Sequence, residues 1–411
     1  MRQIFTSIDI GTNAIKLVVC EIVDNNKNIL VALKEKNKGM RKGLIVDADL
    51  VYESLKIIIN KANKILGTTI ENVIVNAPIK NSKFIRNSAT NAIIGQENIV
   101  TSNDVNRLFK EITYRTIQDE DVEEILNIIP IKFLVDGKSY YNSPVGLKCQ
   151  QLTLEANLLI VPSKNINSVI QIFEQLNIDV VSISSIEVGN YYRVKECFEI
   201  DGKNGLIIDI GYEKTTVSFY EKGILDKIDI INLGSRTINN DITYMYKLSE
   251  EEAESLRIKK GTCHKRLVAT SEIIINENGN AIDATELSMV ISERIKEIIE
   301  ISRNAGKLIS KEELNFLVLT GGITESYGFD LMIEEMFIKN LLLLKTDIIG
   351  ARSNEYSGVL GMIDHFYNEL LITKNSYSGI SAMKIEEMLS KTQTLENTSI
   401  VDRMFNYFAE K

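Results

Sequence analysis

The chain has 411 residues, 44% of them hydrophobic and 25% charged, the balance of a globular protein with several folded units rather than of a disordered chain. Its 47 lysines and arginines stand against 56 aspartates and glutamates, and the net charge of −9 argues against a general nucleic-acid binder. No apolar run reaches the ~18 residues of a membrane span, and Asp9 interrupts the amino-terminal apolar stretch, so no signal peptide is expected.

In chain order, Ile4–Ile10 and Ile15–Val23 read as strands flanking an Asp-Ile-Gly turn. Residues 47–66 carry apolar side chains at helical spacing and stop at Gly67, a helix-ending residue. Val73–Ala77 is a short buried strand. Residues 82–161 change texture, with polar turns, one helix over 102–114 and strands over 128–135 and 152–161, and read as an inserted small domain. A helix over 165–176 and a strand over 178–184 return to the first pattern. Thr285–Gly306 places Leu287, Val290, Ile291, Ile295, Ile298 and Ile299 on one helical face. Phe316–Thr320 is a strand running into Gly321 and Gly322, followed by a helix over 355–371. Residues 373–398 are polar and poorly patterned, a flexible linker. Residues 399–411 again have a helical stripe, formed by Ile400, Val401, Met404, Phe405 and Phe408.

The first turn recurs. Asp9-Ile-Gly11-Thr12-Asn13 is echoed by Asp209-Ile-Gly211 and then Thr215 and Thr216, about 200 residues on, each copy opening half of the chain. Glycine lets backbone N–H groups approach a phosphate, and Thr12, Asn13, Thr215 and Thr216 add side-chain donors. One aspartate from each half, facing a shared cleft, can hold Mg²⁺ through water. Gly321-Gly322 suits a flat adenosine against backbone. Other signatures fail: Gly137-Lys138-Ser139 lacks the earlier glycine of a P-loop, and GxGxxG and GxSxG are absent. The four scattered cysteines have no CxxC pair and read as reduced thiols of a cytoplasmic protein. His365 reads as structural, His264 as part of a solvated basic segment, and two histidines make a zinc site improbable. No candidate base beyond Asp9 and Asp209 is evident, which disfavours a metabolic kinase.

Two such turns with a late Thr-Gly-Gly resemble the superfamily of actins, heat-shock ATPases and sugar kinases. Within it, the segments Asp9–Lys16, Gly39–Asp47, Ile128–Gly137, Ser143–Leu147 and Ala253–Arg257 resemble the bacterial cell-division FtsA family over nearly the whole chain. The resemblance implies an α/β, actin-like (ribonuclease H-like, duplicated) two-domain fold with an inserted 1C-type subdomain. The first core half would then comprise 1–81 and 162–200, with 82–161 as the insertion. The second would comprise 201–240 and 307–372, with 241–306 as a small partner-binding subdomain.

The resemblance further implies ATP and Mg²⁺ as cofactors. Gly11, Thr12, Asn13 and Lys16 would form one phosphate clamp, and Gly211, Thr215 and Thr216 the other. Asp9 and Asp209 would hold Mg²⁺ through water, Glu254 and Arg257 would border ribose and base, and Gly321 and Gly322 the adenosine. Implied partners are the carboxy-terminal peptide of the tubulin-like protein FtsZ, further copies in a filament, other division proteins and a membrane surface. Arg294, Lys296 and Arg303 are the candidate peptide contacts, and the 399–411 stripe is the membrane contact on the inner face of the cell membrane at the division site. Asp402, Arg403, Glu410 and Lys411 cancel, so apolar burial would carry that attachment. Tyr212 and Glu213 depart from the family's glycines, with Glu213 expected to bring negative charge near the phosphates, and Arg257 stands where a lysine is usual. A pilus-assembly platform protein of similar core is the alternative.

Overall fold

The computed structural model describes residues 2–380 and 384, apart from positions 95, 120, 270–271, 276–278, 280 and 310–312. Most of the 373–398 stretch and all of the 399–411 stripe, Ile400, Val401, Met404, Phe405 and Phe408 included, lie outside the described residues.

Two five-stranded sheets of the same topology form the body. In the first, Arg2–Ile10 pairs antiparallel with Ala14–Val23, which pairs with Asn26–Lys36. On its other edge Arg2–Ile10 runs parallel to Asn72–Asn76, and that strand to Asp179–Ser184. The second sheet repeats the order: Gly205–Ile210, Thr215–Glu221 and Ile224–Ile231 antiparallel, then Phe316–Thr320 and Leu341–Leu343 parallel. The recurrence of the Asp-Ile-Gly turn is thus part of a repeated sheet.

Parallel pairs need crossovers, which helices supply. Ala48–Leu66 buries Val51, Leu55, Ile58, Ile59, Ala62 and Leu66 on the first sheet, starts at Asp47, whose carboxylate accepts from the Leu50 N–H, and ends at left-handed Gly67. Between strands Asn72–Asn76 and Asp179–Ser184 stands a separate antiparallel sheet of Lys83–Ala92, Gln151–Pro162, Glu123–Val135 and Lys138–Tyr140, covered by helix Ser102–Thr116 and holding its own core around Leu108, Phe133 and Leu154. On the second sheet, helix Ala284–Ile309 buries Leu287, Ile291, Ile295, Ile298 and Ile299, as its spacing predicts, with Val290 partly buried.

Two helices join the halves. Ile186–Cys197 leads from the first sheet to the second, and Ser357–Thr373 returns to cover Phe5, Val18 and Ile74 of the first. They cross glycine to glycine. A Cβ on Gly361 would overlap the Gly189 backbone, and one on Gly358 would meet Ile186 Cγ2 at 2.6 Å.

The structure differs from the sequence reading in two places here. Residues 374–380 are not free of the core: Gly379 N–H donates to Ile4 O (2.7 Å), Tyr377 packs on Phe5 and Phe366, and Ile380 is buried. Lys384 reaches Glu71. His264 is buried rather than solvated, its Nδ1 accepting from Arg266 N–H (3.2 Å) and its Nε2 meeting Glu335 Oε1 at 2.9 Å. A turn that must cap its own backbone draws the imidazole inward. His365 is buried, edge-on to Tyr192.

The crossing tolerates no side chain. Gly361→Ala should lower the unfolding free energy by at least the ~1–3 kcal/mol of ordinary overpacking, read as a lower denaturant midpoint; an unchanged midpoint would remove the crossing as a constraint.

Candidate functional site

The Gly11 and Gly211 turns face each other across a cavity of about 370 Å³ between the two sheets, within the range of small-molecule pockets. They are built alike: Gly11 N–H donates to Ala14 O (3.1 Å) and Gly211 N–H to Lys214 O (3.0 Å). A Cβ on either glycine would sit within 2.8 Å of that carbonyl.

Their aspartates differ. Asp9 is opposite Lys16 in the ladder and takes its ammonium at 2.7 Å, while Asn76 Nδ2 donates to the other oxygen at 3.1 Å. Burial alone would lower the Lys16 ammonium; Asp9, then Glu355 and Asp209, hold it above its usual value. Asp209 faces Thr216, with no lysine opposite it in the ladder. Asn190 Nδ2 donates to it at 2.9 Å. Burial, then Glu187, push Asp209 up to about 6 against the pull of Lys16, Asn190 and Lys214.

Gly321 has φ +99°, and a Cβ there would fall 2.6 Å from Asp209 Oδ1, so only glycine lets this loop lie against the carboxylate. A Cβ on Gly322 would meet only Glu355 Cβ, at 3.7 Å. Asn13 Nδ2 reaches across to Glu254 Oε1 (3.1 Å), and Arg257 Nε donates to Asn239 Oδ1 (2.7 Å). Burial draws the Arg257 guanidinium below its ordinary value, with Glu254 opposing.

The cavity thus gathers Asp9, Gly11, Thr12, Asn13, Lys16, Asp209, Gly211, Thr216, Glu254, Arg257, Gly321 and Gly322. It does not gather Thr215, which is fully buried and donates from Oγ1 to Leu233 O at 2.8 Å. Neighbours in a strand point to opposite faces, so only Thr216 can face the cleft. Glu213 also departs from expectation. It turns away from the cavity to Arg236, with Arg41 at 3.6 Å, and accepts from the Lys42 N–H at 2.6 Å. Tyr212 donates its hydroxyl to Glu250 (3.2 Å), which also takes Arg236 at 2.7 and 3.0 Å.

Cavity residues that escaped the sequence reading include Glu187, Lys214 and Glu355, and so did Asn190, which donates to Asp209. Glu187 is a further carboxylate acting on Asp209, beside Glu254 and Glu355 in the same lining. It sits in the first turn of Ile186–Cys197, whose cap is Ser185; that helix start was the available signal. Among the described residues no three His, Cys, Asp or Glu groups converge as direct metal ligands. A cation at Asp9 and Asp209 would therefore keep most of its water, which suits Mg²⁺.

Elsewhere, Arg294 is bidentate to Asp241 (2.6 and 2.9 Å) and also meets Glu297, and Lys296 pairs with Glu293 at 2.9 Å. Arg303 is half-buried on the same helix. All four cysteines are free.

A family model for "Cell division protein FtsA" matches residues 206–361, and one for the "SHS2 domain inserted in FTSA" matches residues 80–161. The chain is 26% identical over 377 residues to the cell division protein FtsA of Bacillus subtilis, covering 88% of this chain and 83% of that one. The chain belongs to the FtsA family of cell-division proteins. FtsA of Enterococcus hirae is likewise 26% identical, over 89% of this chain and 83% of that one.

Solved structures agree on the fold. The PilM-PilN type IV pilus biogenesis complex contains a chain of TM-score 0.55 and 13% identity, covering 89% of this chain and 98% of that one. MreB5 of Spiroplasma citri, bound to ADP, gives 0.50 and 12%, covering 91% and 99%. The architecture is the actin-like two-domain fold with the insertion of the FtsA family. The pilus likeness is one of fold, whereas the sequence matches are to FtsA.

The Asp209 carboxyl yields a pH prediction. Its folded value lies above that of an unfolded aspartate, so its stabilising contribution is present in full below ~pH 4 and is lost as pH rises through about 6. Asp209→Asn should therefore be more stable than wild type at pH 8, with the advantage shrinking towards pH 4 in thermal melts. A gap that does not change with pH would contradict the assignment.

Proposed function

We propose that this FtsA-family chain binds ATP with Mg²⁺, polymerises, and tethers FtsZ filaments to the cytoplasmic face of the membrane at the division site. The observation that carries the nucleotide reading is the pair of like-built turns facing one cavity, each following a strand whose penultimate residue is an aspartate. Gly11, Thr12, Asn13 and Lys16 clamp one side of the phosphate chain, and Gly211 and Thr216 the other. Thr215 anchors the second turn from behind. Glu254 and Arg257 border ribose and base, and the adenosine lies on Gly322. Bound Mg²⁺ supplies charge neutralisation to the phosphates, with Asp9 and Asp209 as its second-layer carboxylates.

The FtsZ peptide docks on the subdomain that includes helix Ala284–Ile309. A depression there is lined by Asp241, Tyr244, Met245, Val290 and Arg294, with Tyr244 89% exposed. Since Arg294 and Lys296 are held by carboxylates, Arg303 is the cation more available to an acidic peptide. Head-to-tail contacts between copies do not close and so build filaments.

No helix of the described residues is long and apolar enough to cross a membrane. Attachment falls to Ile400, Val401, Met404, Phe405 and Phe408, weak in one copy and strengthened by many copies in a filament.

Liposome co-sedimentation with ATP tests the whole. Phe405→Glu should leave the pellet while retaining ATP binding, and Gly322→Val should lose ATP binding by filling the adenosine face; pelleting of the first like wild type, or equal affinity in the second, overturns the corresponding part. For the peptide site, Arg303→Glu should weaken the FtsZ carboxy-terminal peptide by about tenfold, the scale of one charge-assisted contact, and unchanged affinity removes Arg303 from it.

A further inference from the structure

Four cations line the cavity: Lys16, Lys34, Lys214 and Arg257. Three are held closely, Lys16 by Asp9 at 2.7 Å, Lys34 by Glu355 at 2.5 Å and Arg257 by Asn239 at 2.7 Å. Lys214 is held least. Its ammonium meets a single oxygen of Glu187 at 3.3 Å, and its side chain is 25% exposed.

The chain nevertheless delivers Lys214 with little freedom. Its own carbonyl accepts from Gly211 N–H, so it belongs to the second turn itself. Glu213 before it is clamped by Arg236, Arg41 and the Lys42 N–H, and Thr215 after it is tied to Leu233 O. Its methylenes run along Gly43, where a Cβ would approach Cε to 3.3 Å, so the wall of the opposite half guides the ammonium. Glu187 is enclosed (4% exposed) in the first turn of its helix, where the dipole favours its charge.

Of the carboxylates that line the cavity, Lys214 faces two, Asp209 and Glu187. A phosphate chain entering between the turns brings more negative charge than the Glu187 carboxylate has, into a site of reduced dielectric where charge pairing is strengthened. The cation free to respond is the one that is held most loosely and positioned most firmly.

We infer that Lys214 is a ligand of the phosphate chain of the bound nucleotide and exchanges its ion pair with Glu187 for one with phosphate as the nucleotide enters. The inference rests on the nucleotide reading above. It assigns to this chain's Tyr212–Lys214 turn a charged contact that glycines at those positions could not supply, and it makes binding sensitive to the number of phosphates. It also leaves Glu187 without its lysine only when nucleotide is present.

The test is titration of the full chain with ATP, ADP and AMP in the presence of Mg²⁺, followed calorimetrically. Lys214→Met should weaken ATP and ADP by roughly ten- to hundredfold, the loss of one charge-assisted hydrogen bond, and leave AMP unchanged. Lys214→Arg should restore most of the loss. Glu187→Gln should tighten ATP, and that gain should shrink when Lys214 is already Met, the non-additivity of a coupled pair. If wild type binds ATP and Lys214→Met binds it equally well, or if AMP weakens in parallel with ATP, Lys214 is not a phosphate ligand. If wild type binds none of the three, the nucleotide reading falls and takes this inference with it.

Discussion

The crossing of Ile186–Cys197 and Ser357–Thr373 is the contact on which the cleft depends. Backbone meets backbone at Gly189 and Gly361, and the closeness brings three polar side chains into register beside it. Thr320 and Ser357 share a hydrogen bond at 3.0 Å, Ser357 donates to Asn190 Oδ1 at 3.2 Å, and Asn190 donates to Asp209 at 2.9 Å. A buried chain of this kind is stable only when every member finds its partner. One turn further along, Arg193 pairs with Asp364 and Glu196, and Lys27 meets Asp364 as well, so both linking helices are also joined by charge. Burial raises the Asp364 carboxyl and the two cations oppose it. Such pairs hold position more than they add stability.

The duplication preserves backbone and lets electrostatics diverge. Both turns close the same N–H to carbonyl bond, yet the ladder sets Lys16 opposite Asp9 and Thr216 opposite Asp209. One carboxylate is thereby neutralised within its own hairpin. The other depends on groups of several elements: Asn190 on a linking helix, Lys16 from the first half and Lys214 from its own turn, with Glu187 working against all three. An aspartate whose charge is governed from both halves is sensitive to how the halves sit, which a locally paired one is not.

Features set by local periodicity were legible in the sequence. The strands carrying Asp9 and Asp209, the apolar face of Ala284–Ile309 and the capped helix after Asp47 follow from spacing and end signals within a few residues. The alternation that separates Thr215 from Thr216 was equally readable, and only the register Asp209↔Thr216 was needed to choose between them. What escaped depends on partners far along the chain. Glu213 pairs with Arg236 and accepts from the Lys42 N–H, His264 meets Glu335, and Tyr377 finds Phe5 near the other end. A sequence shows that a side chain is charged or apolar; it does not show which way the fold turns it.

The course of residues 374–380 bears on how attachment and assembly combine in the proposed function. The partners of Tyr377, Ser378 and Gly379, namely Gln3, Ile4 and Asn72, belong to the first sheet or its edge, and Lys384 adds Glu71 and Thr69 of the same half. In the proposed function the tether would therefore start from the first half, at Lys384 rather than at the end of helix Ser357–Thr373. The proposed FtsZ surface lies on the second half, on the far side of the helix crossing. If, as proposed, one half is bound to lipid and the other to the filament, any rotation about Gly189 and Gly361 would change the distance between membrane and filament. A nucleotide held, as proposed, by Lys16 on one side and by Gly211 and Lys214 on the other would oppose that rotation. On that reading the cavity proposed to take the nucleotide would also set the stiffness of the link.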